Sequence, residues 1–144
     1  MRNVAQLLSA KEANEVYTVG VNEMVFDALS LMAKKNVGAL PVVEDDKVVG
    51  VVSERDYARR MILQGRSSVG TKVGTIMSSP VISVGLKQSL DHCMNVMTDY
   101  HLRHLPVVED GELLGLLSIG DLVKAALSEQ TSLIDQLQRY IRGE

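Results

Sequence analysis

Aromatic residues are scarce: Phe and Tyr together make up 3% of the 144 residues, and Trp is absent. The core must therefore be built from Val, Leu, Ile, Met and Ala. The same shortage argues against single-stranded nucleic acid as a ligand, because its bases bind by stacking on aromatic rings. Positive charge is not in excess either. The formal net charge is −3, which leaves no basic footprint for a phosphate backbone. The dense basic spots, Arg59-Arg60 and Arg103-His104, are local. A single cysteine, Cys93, allows no intramolecular disulfide and points to a reducing compartment. No apolar run reaches membrane-spanning length. The opening stretch "MRNVAQLLSAKEANE" is broken by polar residues and does not read as a signal peptide. These absences set the expectation of a cytoplasmic protein with neither nucleic-acid nor membrane partners.

What the chain does have is an internal repeat. Its apolar content of 46% and charged content of 23% are those of a globular protein. The length suits one ordinary domain or two very small ones. At one constant offset, Val16 matches Val81, Met32 matches Met97, Pro41 matches Pro106, Gly50 matches Gly115, Ser53 matches Ser118 and Asp56 matches Asp121. Thus "LPVVEDDKVVGVVSERD" lies over "LPVVEDGELLGLLSIGD". Between the copies, "LQGRSSVGTKVGTIMSSP" is rich in Gly and Ser and reads as a linker. The expected division is a first repeat with the N-terminal segment at 1–64, a linker at 65–80, a second repeat at 81–127 and a terminal helix at 128–144.

Each repeat carries the same local signals. "VYTV" and "VISV" are short β-prone pieces, and "MVFDALSLMAKKNV" and "SLDHCMNVMTDYHL" place apolar residues at helical spacing. "ALPVVE" and "HLPVVE" predict strands entered through Pro, with "EDDK" and "EDGE" as hairpin turns. "VVGVV" and "LLGLL" predict buried strands, and a helix follows from Ser53 and from Ser118. The predicted unit is β-α-β-β-α, an α+β fold. So short a unit buries too little surface to be comfortably stable alone; two units face to face would cover each other's sheets. Leu133, Ile134, Leu137 and Ile141 add an apolar stripe on the terminal helix.

This order of motifs, written twice without a gap over 16–127, resembles the CBS-domain pair, or Bateman module. The resemblance implies two repeats packed with pseudo-twofold symmetry and two clefts between their sheets. It implies adenosine ligands in those clefts: AMP, ADP or ATP, with NAD and S-adenosylmethionine as further candidates. A sensor of cellular energy or redox state is the function it implies, with an unidentified protein partner to regulate and a homodimer formed through the outer helices. In the family, the Asp of one repeat holds the ribose diol. The first strand and the residues before the Pro of the other repeat cradle the adenine. Carried over, one site joins Ser53 and Asp56 to Val81, Ile82, Leu102, Arg103, His104 and Pro106. The other joins Ser118 and Asp121 to Val16, Tyr17, Val37, Gly38, Ala39 and Pro41. "RHLP" offers cations where "GALP" offers none, so Arg103 and His104 are the expected phosphate contacts, near enough to the pseudo-twofold axis to serve both ligands. Tyr17 stands where the second repeat has Ile82, so the base pockets should differ.

On the residues alone, other readings stand. Ser-x-x-Asp before a helix is also a capping box, with Ser at the N-cap and the acid three residues on. A carboxylate equally suits the two hydroxyls of a cis-diol. Gly50 and Gly115 fit a bulge or tight packing as well as ligand contact. His92, Cys93, His101 and His104 lack structural zinc spacing. No nucleophile with a base and no P-loop is visible. The expectation is a non-catalytic protein with no metal and no catalytic cofactor. A structural adaptor without a physiological nucleotide, and a small nucleotide-acting enzyme, are the alternatives.

Overall fold

A computed structural model of the chain describes residues 2–11 and 15–143. Met1, residues 12–14 and Glu144, which the division above assigns to the first repeat and the terminal helix, lie outside the described residues. In chain order the elements are α1 (Val4–Ser9), β1 (Val19–Gly20), α2 (Val25–Lys35), β2 (Ala39–Glu44), β3 (Lys47–Ser53), and α3 (Glu54–Tyr57), which runs into a π-helical turn (Ala58–Ile62). Then come α4 (Val73–Ile76), α5 (Leu90–Tyr100), β4 (His104–Glu109), β5 (Glu112–Ser118) and α6 (Ile119–Arg142).

In the first repeat β1 runs parallel to β2, and β2 pairs antiparallel with β3. In the second, β4 pairs antiparallel with β5, while Val84 alone bridges Val107 in the place of a first strand. The β-prone "VYTV" and "VISV" therefore shrink to Val19–Gly20 and to one bridge. The hairpin turns form as expected. Asp45 and Asp46 have φ of 51° and 64°, and Asp110 and Gly111 have 52° and 79°; two successive positive φ values mark the type I′ turn that suits strand twist. Pairing shifts register at Val42/Val43 and at Val107/Val108, a bulge beside each buried glycine. A Cβ on Gly50 would sit 2.7 Å from Met77 Sδ and 2.8 Å from the Ser78 carbonyl oxygen; on Gly115 it would sit 2.7 Å from Leu8 Cδ2. Both glycines thus answer to packing.

Those neighbours reveal how the repeats are joined. The core of the second repeat, around Leu90, Cys93, Leu105, Leu117 and Leu122, is completed by Val4 and Leu7 of α1. The core of the first, around Val25, Met32, Leu40, Val52 and Met61, is completed by Val73 and Ile76 of α4. The backbone agrees: the Leu90 N–H donates to the Arg2 carbonyl at 3.0 Å, and the Val25 N–H to the Thr71 carbonyl at 2.9 Å. The expected division is corrected accordingly. The N-terminal segment packs with the second repeat, and half of the stretch read as linker packs with the first. "VAQLLS" and "VGTIMS" are one motif, with its Val and its Leu or Ile buried in each copy.

The helix from Ser118 and the terminal helix are likewise one. No Gly or Pro interrupts residues 121–142, so α6 runs unbroken to Gly143, whose φ of 76° ends it. Leu122 and Ala125 are buried; Leu133, Ile134, Leu137 and Ile141 project as an exposed stripe.

Candidate functional site

β3 and β5 meet, and a cavity of about 550 Å³ opens between the repeats. Ser118 and Asp121, at the start of α6, form one wall. Val16, Tyr17, Val37, Gly38, Ala39 and Pro41 form the other. The structure thus brings the whole second candidate set together, from both repeats.

Asp121 is held from two sides. Its Oδ2 accepts the Ser118 N–H at 2.8 Å, and its own N–H donates to Ser118 Oγ at 3.2 Å, a full capping box. Lys11 places its ammonium 3.0 Å from the same Oδ2 and donates to the Leu116 carbonyl at 2.7 Å. Burial pushes the Asp121 carboxyl up, but the Ser118 N–H and the Lys11 ammonium outweigh it and leave it below its ordinary 3.8. Across the cavity the Tyr17 hydroxyl donates to Glu15 Oε2 at 2.6 Å, which raises the phenol pKa, and Lys35 Nζ lies 5.0 Å from the Tyr17 ring centroid. That is cation–π range. A Cβ on Gly38 would meet nothing within 4 Å, so packing does not require glycine there.

His104 also lines this cavity. Burial lowers its pKa from 6.5, with Asp121 and Asp56 pulling the other way. It stands in the field of both aspartates. Asp121 and His104 both titrate below their ordinary values in the folded chain. Each therefore contributes stability that is present above its unfolded pKa and lost as pH falls through its folded one. The melting temperature is expected to fall from about pH 6.5 downward, first through the His104 range and then through that of Asp121. A melting temperature that rises on acidification contradicts this.

The first candidate set is arranged differently. Asp56 Oδ2 accepts from the Ser53 N–H and the Ser53 hydroxyl, both at 3.0 Å, again within a capping box. Its Oδ1 accepts the Ser78 hydroxyl at 3.2 Å. Met77 and Ser78 lie over Gly50 beside it. Val81, Ile82 and Leu102 are half-buried, Pro106 is buried and Arg103 is exposed. Arg59 and then Arg103 lower the pKa of Arg55, and Asp56 pulls it the other way. Lys11, Glu15 and Lys35 were not among the candidates drawn from the sequence, although they line the Asp121 cavity. Ser78, the last residue of "VGTIMS", meets Asp56, whereas the residue that meets Asp121 is Lys11, two places past the end of "VAQLLS".

Two stretches of the chain, 10–63 and 73–128, match the CBS domain. The CBS domain-containing protein CBSX3, mitochondrial, of Arabidopsis thaliana is 42% identical over 127 residues, covering 85% of this chain and 62% of the plant protein. The chain therefore spans less than two thirds of that relative. YhcV, a CBS domain-containing protein of Bacillus subtilis, is 36% identical over 118 residues, covering 82% of this chain and 84% of its own length. A CBS-domain protein of Burkholderia ambifaria MC40-6 superposes with a TM-score of 0.84 at 50% identity, covering 90% of this chain and 96% of that one. The CBS domain pair of MJ0100, solved with 5′-methylthioadenosine and S-adenosyl-L-methionine, shares the fold at a TM-score of 0.78 and 23% identity, covering 90% and 98%. A match in each half, on a chain built of two like halves, makes this protein a member of the CBS-domain family, a CBS pair.

Proposed function

We propose that this protein is a regulatory module that senses an adenine nucleotide, AMP, ADP or ATP, in the cleft at the start of α6, and relays its occupancy to a protein partner. The observation that carries this is Asp121 facing Val16, Tyr17 and Val37 to Ala39 across one cavity. Its volume is within the range of about 300–1,000 Å³ typical of small-molecule sites. A carboxylate suits a ribose diol, and backbone N–H groups at a helix start suit phosphate oxygens. The ligands of the MJ0100 pair share the adenosine unit. NAD is a further candidate. A ligand shifts a regulatory equilibrium only by its differential affinity for two states, so the partner must read a change in this cleft.

The proposal includes no catalysis: the Arabidopsis and Bacillus relatives are named for their CBS domains alone. It includes a homodimer, because the stripe Leu133, Ile134, Leu137 and Ile141 is 54–81% exposed. It places the protein in a reducing compartment, on the strength of its one unpaired Cys93. The cytoplasm is one such compartment, and the name of the Arabidopsis relative points to another. Among the described residues no helix is long and apolar enough to cross a membrane. With a net charge of −3, nucleic acid is not a proposed partner.

One observation favours the adaptor reading. Both aspartates complete capping boxes within the chain itself. Melting the protein with AMP, ADP, ATP and NAD separates the two. A specific ligand raises the melting temperature by mass action, worth about 2.7 kcal/mol at a hundredfold excess over Kd. No shift with any of them at millimolar concentration favours the adaptor. Sedimentation as a monomer at every concentration removes the dimer.

A further inference from the structure

A heptad seam runs along α6 on a side turned away from the repeats. Val123, Leu127, Gln130, Ile134, Leu137 and Ile141 alternate steps of four and three residues, the spacing of the a and d positions of a coiled coil. The five apolar members are between 47% and 81% exposed. The helix turns another side to the fold. Leu122 and Ala125 are buried there, Glu129 accepts the Arg2 N–H at 2.8 Å, and Ser132 and Gln136 line a groove with Arg2 and Gln6. Residues 131–142 are exposed throughout. So short a helical stretch is marginal in water without packing.

The area fits a second copy. The seam, with the exposed Leu133 and Tyr140 beside it, leaves on the order of 500 Å² of apolar surface uncovered. That is as large as the largest patch of a typical monomer. Two such faces together bury about 1,000 Å², the size a specific interface should clear. Charge fits as well. The flanking e and g positions from Lys124 to Tyr140 hold Lys124, Ala126, Thr131, Leu133, Gln138 and Tyr140, so Lys124 is their one charge. No like charges meet when the seam pairs with itself.

We propose that α6 pairs with α6 of a second copy in an antiparallel coiled coil along this seam. This rests on the homodimer reading and needs no nucleotide. Antiparallel pairing sets Val123 against Ile141, Leu127 against Leu137 and Gln130 against Ile134. On the g flank it sets Leu133 against Leu133 and Tyr140 against Ala126, a large side chain over a small one. On the e flank Lys124 meets Gln138. A parallel pair would instead set Leu133 against Gln138. Opposed helix dipoles favour the antiparallel order too. It also lays the unsupported end of each helix on the half that the other copy's repeat holds, where Leu122 and Ala125 are buried.

The test is sedimentation equilibrium of the full chain, without nucleotide, in the wild type and in variants. Ile134→Asp and Leu137→Asp should each weaken self-association by about a hundredfold or more, as at the centre of an interface. Ser132→Asp, the same charge on the side away from the seam, should leave it unchanged. Gln130→Leu should tighten it by roughly tenfold or more, a gain that damage to the fold does not produce. Direction is read by oxidation. Leu127→Cys chains mixed with Leu137→Cys chains should form a mixed disulfide, and neither variant should cross-link with itself. Self-linking without mixed linking overturns the antiparallel order. A dimer that none of the seam variants alters overturns the seam and leaves the homodimer reading standing. Wild type that stays monomeric at every concentration overturns both.

Discussion

Replacing Asp121 by Ala is expected to weaken AMP and ATP binding by roughly ten- to a hundredfold, because a hydrogen bond to a charged group is worth about 1.5–3 kcal/mol and about 1.4 kcal/mol is a decade of affinity. The same change removes half of the capping box around Ser118 and the ion pair with Lys11. Loss of a cap costs about 1 kcal/mol of stability. Asp121→Asn separates the two effects. Its amide oxygen still accepts the Ser118 N–H, while the charge that grips two hydroxyls is gone. The Asn variant should keep most of its melting temperature without ligand and lose most of its affinity by calorimetry. If Ala and Asn both lower stability alone and leave affinity intact, Asp121 is a cap and the adaptor reading prevails. The matching change at Asp56 asks the same of the other cleft.

Replacing Ile76 by Ala is expected to cost about 2–5 kcal/mol of folding stability. From the sequence, Ile76 stands in a Gly- and Ser-rich connection, where a substitution is usually worth within about 0.5 kcal/mol. In the fold it is fully buried among Val25, Met32 and Met61 of the first repeat. Its counterpart Leu7, packed in the second repeat, should behave alike. Urea unfolding reads both. A loss at Ile76 of the surface size contradicts the exchange of α1 and α4 between repeats.

That exchange is what the sequence conceals. The stretch "LPVVE" to Ser-x-x-Asp is legible because each copy has strong alternation, a turn signal and a fixed offset. The motif "VAQLLS" and "VGTIMS" lacks all three supports. α1 and α4 are too short for helical periodicity to show, and the constant offset breaks between Ser9 and Val16. β1 shrinks because Val16 and Tyr17 line the cleft instead of extending the sheet. The cleft itself was legible only through the family likeness. Val37, Gly38 and Ala39 are bland one by one, and Ser118 with Asp121 reads equally as a cap, which it also is. Lys11 sits in the polar run "SAKEANE", where a lysine ordinarily faces solvent; only the folded chain sets it against Asp121.

The central claim is that an adenosine unit lies between Asp121 and the Tyr17 wall. Co-crystallising the full chain with AMP at saturating concentration tests it most directly. The account predicts the ribose hydroxyls on the Asp121 carboxylate and the adenine against Val16, Tyr17 and Val37 to Ala39. AMP bound away from this cavity, or in it with its ribose off the Asp121 carboxylate, would contradict it.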